Sequence, residues 1–319
     1  YSFHLSPVDW HKGIIGEIEK CIDNGFLSFK VYMAYKNSIG LNDDVLFKVM
    51  KVIANAGGLL LIHCELGDDI DILRDKFADE NKLEPKYHPL SRPPYAEAEA
   101  VRKSISMAAE TGCSIYIVHV STKESVQYIR QAQHRGQVVY AETCPQYLLL
   151  EDSLYDNVFE ESAKYVMSPP LRKKEDINAL WEAVSEGTIQ TIATDHCPTM
   201  LSQKKFGKYD FRRIPNGAGG VEHRLSLLYT YGVIEKKISL SQFVALTSTN
   251  AAQIFGLEKK GIVKEGADAD LVVWNPDKEN IINASCHHQN CDINIYEGMK
   301  VVNGKVTLND LPGIGIRKI

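Results

Sequence analysis

The chain has 319 residues, 44% hydrophobic and 24% charged, an ordinary globular mix. Its 36 Lys and Arg against 41 Asp and Glu leave a net charge of −5, which argues against a general binder of nucleic acid or anionic membranes. No apolar run approaches the roughly 20 residues of a membrane span, and the length fits about two domains, or one barrel with an appendage.

The chain opens on Tyr1, and its first residues lack the basic start and apolar stretch of a signal peptide. In chain order, residues 26–33 (FLSFKVYM) predict a strand. Residues 42–56 predict a helix with Val45, Leu46, Val49, Met50 and Ile53 on one stripe, capped at Asn42 or Asp43 and stopped by Gly57 and Gly58. Leu59–His63 (LLLIH) is an apolar strand. A helix over 95–111 follows Pro93 and Pro94 and ends at Gly112. Residues 114–120 (SIYIVHV) predict a strand, 122–134 a helix, 137–143 (QVVYAET) a strand, 176–186 a helix, and 188–194 (TIQTIAT) a strand. Strands separated by helices imply βαβ units and a parallel sheet. Near-continuous apolar strands fit a sheet buried on both faces. No Gly-rich phosphate loop follows any strand, so a barrel gains over a nucleotide-binding doubly wound sheet. After about residue 255 the pattern changes. Residues 261–276 (GIVKEGADADLVVWNP) read as short strands with Gly turns. Residues 300–307 (KVVNGKVT) carry an Asn303-Gly304 hairpin signal.

The polar residues at the strand ends are Lys30, His63, His119 and Asp195. In a parallel barrel these ends share one rim, where active sites gather. Imidazole and carboxylate suit zinc. Taken singly, each has a plainer reading: a hydrogen-bonded core histidine, a lysine reaching the rim, an aspartate capping the next segment. Their shared placement favours a site. Lysine is the odd member, because an ammonium does not bind metal; reaction with carbon dioxide makes a carbamate whose two oxygens can bridge two zinc ions.

The segments SFKVYMAYK around Lys30, LIHCELGD around His63, IVHVST around His119, ETCPQYL at 142–148, MSPPLR at 167–172, ATDHC at 193–197 and IPNGAGGVEHR at 214–224 resemble the dihydropyrimidinase/hydantoinase branch of the amidohydrolase superfamily. GADADLVVWNP, the histidine pair at 287–288 and YEGMKVVNG at 296–304 resemble it too, so the likeness spans essentially the whole chain. It implies an α/β fold: an incomplete (β/α)8 TIM-type barrel over residues 1–255 and part of a β-sandwich over 256–319. It also implies two zinc ions per full-length subunit, bridged by carboxylated Lys30. By matching motif, His63 and His119 would bind the more exposed zinc and Asp195 the more buried one. Asp195 would also be general base, Tyr35 would donate to the oxyanion, and Ser168 and Asn216 would bind the ring amides. The implied reaction is ring opening of a cyclic amide, a hydantoin or a dihydropyrimidine, by metal-bound hydroxide. Allantoinase or dihydroorotase activity is a lesser alternative. A cytoplasmic homotetramer is implied as well, and seven scattered cysteines fit a reducing setting better than a disulfide framework.

One expected motif is missing: no two of the ten histidines are spaced i, i+2, as the family's first metal pair requires. Residues 1–4 (YSFH) resemble the stub of the third barrel strand, with Lys30, His63, His119, Thr143 and Asp195 marking strands four to eight. The chain is therefore read as the C-terminal portion of a longer protein. Alone it is expected to bind at most one zinc and to be poorly active. Other candidates weigh less. Cys286, His287, His288 and Cys291 have adjacent rather than zinc-type spacing. Cys64, Cys144 and Cys197 are conceivable nucleophiles but better packing residues. His196 should point away from Asp195. Asp43, Asp44, Lys204, Lys205 and Lys208 read as solvated charges, and Tyr32 and Ile39 as either pocket or core. A non-catalytic scaffold on the same fold is disfavoured because Lys30, His63, His119 and Asp195 are all present. A zinc deaminase is weaker, since that branch lacks the bridging lysine.

Overall fold

Five short apolar segments become parallel strands: β1 (Ser28–Tyr32), β2 (Leu59–His63), β3 (Ser114–Ile117), β4 (Val139–Thr143) and β5 (Thr191–Ile192). They pair in chain order, and every pairing is parallel. A doubly wound sheet reverses its strand order part-way, whereas this one keeps the winding of a barrel wall. The structure, a computed structural model, describes residues 2–36 and 38–302. Ahead of β1, the Leu5 N–H donates to the Ser28 carbonyl (3.2 Å) and the Leu5 carbonyl accepts from the Lys30 N–H (2.8 Å). The bridge falls on Leu5, one residue past the expected stub at 1–4; residues 2–4 form no strand, and Tyr1 lies outside the described residues.

Helices cover the outer face. In chain order they are α1 (Ile14–Asp23), α2 (Asp43–Asn55), α3 (Gly67–Asp79), α4 (Tyr87–Ser91), α5 (Pro94–Thr111) and α6 (Lys123–His134). There follow α7 (Pro145–Leu149), α8 (Phe159–Ser162), α9 (Lys174–Glu186), α10 (Leu201–Lys204), α11 (Arg224–Leu228), α12 (Leu240–Val244) and α13 (Asn250–Ile254). Helix α2 buries Leu46, Val49, Met50 and Ile53, the i, i+3, i+4, i+7 stripe of its sequence. Helix α5 stops where Gly112 turns left-handed (φ 71°). Helix α6 starts where the Thr122 hydroxyl accepts from the Ser125 N–H. Helices α1 and α3 were not foreseen, although α1 carries a clear apolar stripe at Ile14, Ile18 and Ile22.

The two-residue alternation of the strands separates two apolar layers. Phe29, Val31, Leu60, Ile62, Ile115, Ile117, Val139 and Ala141 join the large core under the helices. Leu59, Leu61, Tyr116 and Val118 form a second cluster on the opposite, inner face. Register sets the inner neighbours: Lys30 beside Leu61, Tyr32 beside His63, Leu61 beside Tyr116, and Glu142 beside Thr191.

Beyond α13 the sequence reading fared less well. Among the described residues the antiparallel pairing is β6 (Glu279–Ile281) with β7 (Lys300–Val302). Residues 261–276 form no strand there, and Ile262, Val263, Leu271 and Val272 are exposed. A strand pattern without a paired edge has no ladder to satisfy its backbone. The Asn303-Gly304 turn lies outside the described residues.

Candidate active site

A cavity of about 740 Å³ opens at the C-terminal ends of the strands. Lys30, Tyr35, His63, His119, Ser168, Asp195 and Asn216 all line it, although they come from six separate stretches of chain. Tyr32 and Cys197 join them, while Ile39 is exposed and lies off the lining.

Strand phase explains some of these placements and not others. Lys30 and His63 face inward with their register neighbours. His119 follows Tyr116 and Val118, which line the same cavity, so simple alternation would turn it outward. Its left-handed backbone (φ 42°) re-aims the ring inward. Asp195 (φ 47°) and Tyr35 (φ 62°) share that conformation, which costs a non-glycine residue on the order of 1–3 kcal/mol.

The His63 and His119 rings are buried, with centroids 4.7 Å apart. Nδ1 of His63 stands 2.9 Å from Nε2 of His119. The other nitrogen of His63, Nε2, lies 2.8 Å from Oε2 of Glu65. Burial alone would raise the Glu65 carboxyl, but the Arg92 guanidinium and the His63 ring pull it down to about 2. Ionised Glu65 can only accept, so it fixes the proton of neutral His63 on Nε2 and leaves the Nδ1 lone pair facing His119. Burial lowers the basicity of both rings, reinforced at His119 by His63 and Lys30 and opposed at His63 by Glu65.

Lys30 sits below this pair, its ammonium 4.7 Å from the centroid of the Tyr32 ring. Burial drops its pKa to about 8 against the upward pull of Glu142 and Asp195. Glu142 itself is pushed up to about 7 by burial, and the Tyr116 hydroxyl donates to it at 2.6 Å. Burial also raises Asp195, opposed by His63 and Lys30. Across the mouth, the Ser168 hydroxyl donates to Oδ1 of Asn216 (3.2 Å), and the Arg92 guanidinium lies 5.6 Å from the centroid of the Tyr35 ring.

As to a metal, the two facing nitrogens are donors of the right kind for one zinc. Among the described residues no three His, Cys, Asp or Glu side chains gather at metal-binding spacing. Further oxygens would have to come from Lys30 as a carbamate. The donor set therefore fits a single ion, and fits two less well.

Residues 6–307 match the model of the amidohydrolase family. The chain belongs to that family. A D-hydantoinase of Ralstonia pickettii is 43% identical over 303 residues, covering 94% of this chain and 66% of the relative. A D-hydantoinase of Geobacillus stearothermophilus is 41% identical over 311 residues, covering 97% and 66%. The crystal structure of a dihydropyrimidinase from Brevibacillus agri NCHU1002 superposes with a TM-score of 0.94 at 42% identity, covering 96% of this chain and 67% of that one. These relatives place the chain in the hydantoinase/dihydropyrimidinase branch. It spans about two thirds of the length of the curated relatives it matches.

Around this cavity, several residues escaped sequence reasoning. Glu65 stands two positions after His63, a spacing that could have revealed it. Glu142 lies at a strand end, the criterion applied to the other four. Arg92 gives no sequence signal. Other candidates disperse. His196 turns away, its Nδ1 accepting from the Gly220 and Val221 N–H groups. His288 pairs with Glu222, His287 with the Cys291 carbonyl, and Cys286 with the Asn283 carbonyl, so no tetrad forms. Burial pushes the Cys64 thiol up to about 12 and Cys144 well above its usual range, which suits packing rather than attack. The reading of Lys204 as a solvated charge is wrong: it is fully buried.

Proposed function

We propose that the protein is a metal-dependent hydrolase that opens the ring of a cyclic amide or imide, a hydantoin or a 5,6-dihydropyrimidine, by breaking a ring C–N bond. The observation that carries this reading is the facing pair of His63 Nδ1 and His119 Nε2, 2.9 Å apart, at the wall of the cavity that Asp195 and Tyr35 also line. A bound zinc would polarise the ring carbonyl and lower the pKa of water toward about 7.

The chain's own residues then divide the work. His63 and His119 would hold the ion through one ring nitrogen each, and Glu65 holds the His63 tautomer. Lys30 is the residue to be carboxylated. Carbamate formation needs the free amine, and a pKa of about 8 leaves roughly a tenth of it neutral at pH 7. Asp195 takes a proton from the attacking water and returns it to the leaving ring nitrogen; the burial that raises its pKa suits a base that must give its proton back. Tyr35, kept protonated by burial, donates to the developing oxyanion. Ser168 and Asn216 hold the ring amides from the opposite wall.

Two zinc ions per full-length subunit, bridged by Lys30, are proposed for the whole enzyme and at most one for these 319 residues. A cytoplasmic homotetramer is proposed on the same resemblance. Among the described residues no helix is long and apolar enough to cross a membrane. The test is ring opening of dihydrouracil and hydantoin by zinc-loaded protein, followed by loss of ultraviolet absorbance. Slow, chelator-sensitive turnover of at least one ring is expected. No turnover of either ring with zinc bound sinks the proposal.

A further inference from the structure

Lys204, in α10, is 0% exposed, an unusual place for an amine. Its Nζ donates to the carbonyls of Val166 (2.9 Å), Pro215 (2.7 Å) and Gly217 (2.8 Å). Three acceptors match the three N–H bonds of a protonated lysine. The carbonyls are not scattered. Pro215 and Gly217 flank Asn216 on both sides, and Val166 lies two residues before Ser168. The same two loops meet again where the Gly217 N–H donates to the Val166 carbonyl (3.0 Å) and the Ser168 hydroxyl to Asn216.

We propose that Lys204 is a positioning residue for substrate recognition: its ammonium clamps the Ser168 loop to the Asn216 loop and so sets the wall that receives the ring amides. This rests on the assignment of that wall under the proposed function. The mechanism is geometric. A peptide unit is planar and trans, so fixing the carbonyl of Pro215 aims the Asn216 N–H the opposite way. On the far side of the same residue, the Asn216–Gly217 peptide unit is held through the Gly217 N–H on the Val166 carbonyl, itself an acceptor of Lys204, and the Gly217 carbonyl fixes the unit after it. Held at both ends, Asn216 keeps one orientation before substrate arrives, and ordering it then costs no binding energy. Burial pulls Lys204 down to about 7, but the three charge-assisted hydrogen bonds favour the protonated form. His88 supports the same loop from another side, its Nε2 lying 2.7 Å from the Met167 carbonyl.

The test compares Lys204→Met, of similar length but without donors, with Lys204→Gln, which keeps two N–H bonds. Two readouts are used. The first is the steady-state split for ring opening: KM is expected to rise about tenfold in the Met variant, and less in the Gln variant, with kcat within about threefold. A merely structural lysine would instead shrink the folded fraction, lowering apparent kcat at unchanged KM, and that outcome overturns the proposal. The second is amide hydrogen exchange over residues 166–168 and 216–218 without substrate, expected to quicken there while β1 to β4 stay protected. Unchanged exchange at those segments also overturns it. If the unmodified protein opens neither ring, the functional reading fails by itself, and the exchange measurement still decides whether the clamp exists. If the Met variant does not fold, the Gln variant carries both readouts.

Discussion

Nε2 of His63 lies 2.8 Å from Glu65, while its Nδ1 faces His119. The 2.9 Å contact is satisfied when the His119 Nε2–H donates to the His63 Nδ1 lone pair, or when both nitrogens turn their lone pairs to one cation beside them. Glu65 in turn is held by Arg92, with both side chains almost wholly buried. The orientation of the histidine pair is therefore fixed by a charge pair that does not line the cavity.

Exchanging Glu65 for Gln tests that dependence directly. The amide no longer fixes the His63 proton and leaves Arg92 without a counter-charge. Zinc affinity should fall ten- to a hundredfold, the usual range for losing such a partner. Competition titration against a chelating dye measures it, and affinity within twofold of the unmodified protein would contradict the role given to Glu65.

Metal stoichiometry follows from the donor set. Dialysed protein should retain no more than one zinc per chain by emission spectroscopy, and His63→Ala or His119→Ala should retain essentially none. Two tightly held ions per chain would refute this.

His88 gives stability a pH dependence with a definite sign. Burial, then Arg92, lowers its pKa from 6.5 to about 3. The folded ring stays neutral while the unfolded one takes up a proton near 6.5. Between those values the unfolded chain binds more protons, so stability rises with pH, by about 1.4 kcal/mol per unit at most from this residue. This contribution is complete above 6.5 and falls away as pH drops toward 3. Denaturant midpoints measured across that interval should flatten in His88→Gln; an unchanged slope would assign the effect elsewhere.

Gly40 closes the loop that presents Tyr35. A Cβ there would stand 2.1 Å from the Ala34 carbonyl oxygen and 2.8 Å from the Tyr35 carbonyl carbon, both backbone atoms. Gly40→Ala must therefore push Tyr35 aside. Turnover should drop by at least about tenfold, and melting temperature should fall as well, because Gly40 bridges Tyr32 at the end of β1. Retained turnover would argue against Tyr35 as the oxyanion donor.

Much of the barrel wall was legible because burial on both faces leaves long apolar words such as LLLIH, and because Gly112 and Thr122 announce helix ends. Lys30, His63 and Asp195 could be found as polar residues where such words stop. His119 was found by the same rule although its phase is wrong, since no local pattern encodes its left-handed turn. Arg92 and Lys204 were illegible for a different reason. Their meaning comes from carbonyls and carboxylates far away in the chain, and Lys204 beside Lys205 and Lys208 looks like any solvated run. The tail misled because a strand needs an edge to pair with, which sequence periodicity cannot supply.

The left-handed backbone at Tyr35, His119 and Asp195 narrows the routes by which this molecule could diverge. Glycine, asparagine and aspartate tolerate that region of conformational space, whereas valine, isoleucine and threonine do not. A descendant released from catalysis would therefore accumulate small or amide side chains at these three places sooner than greasy plugs. Its emptied mouth would stay hydrated and open to new ligands.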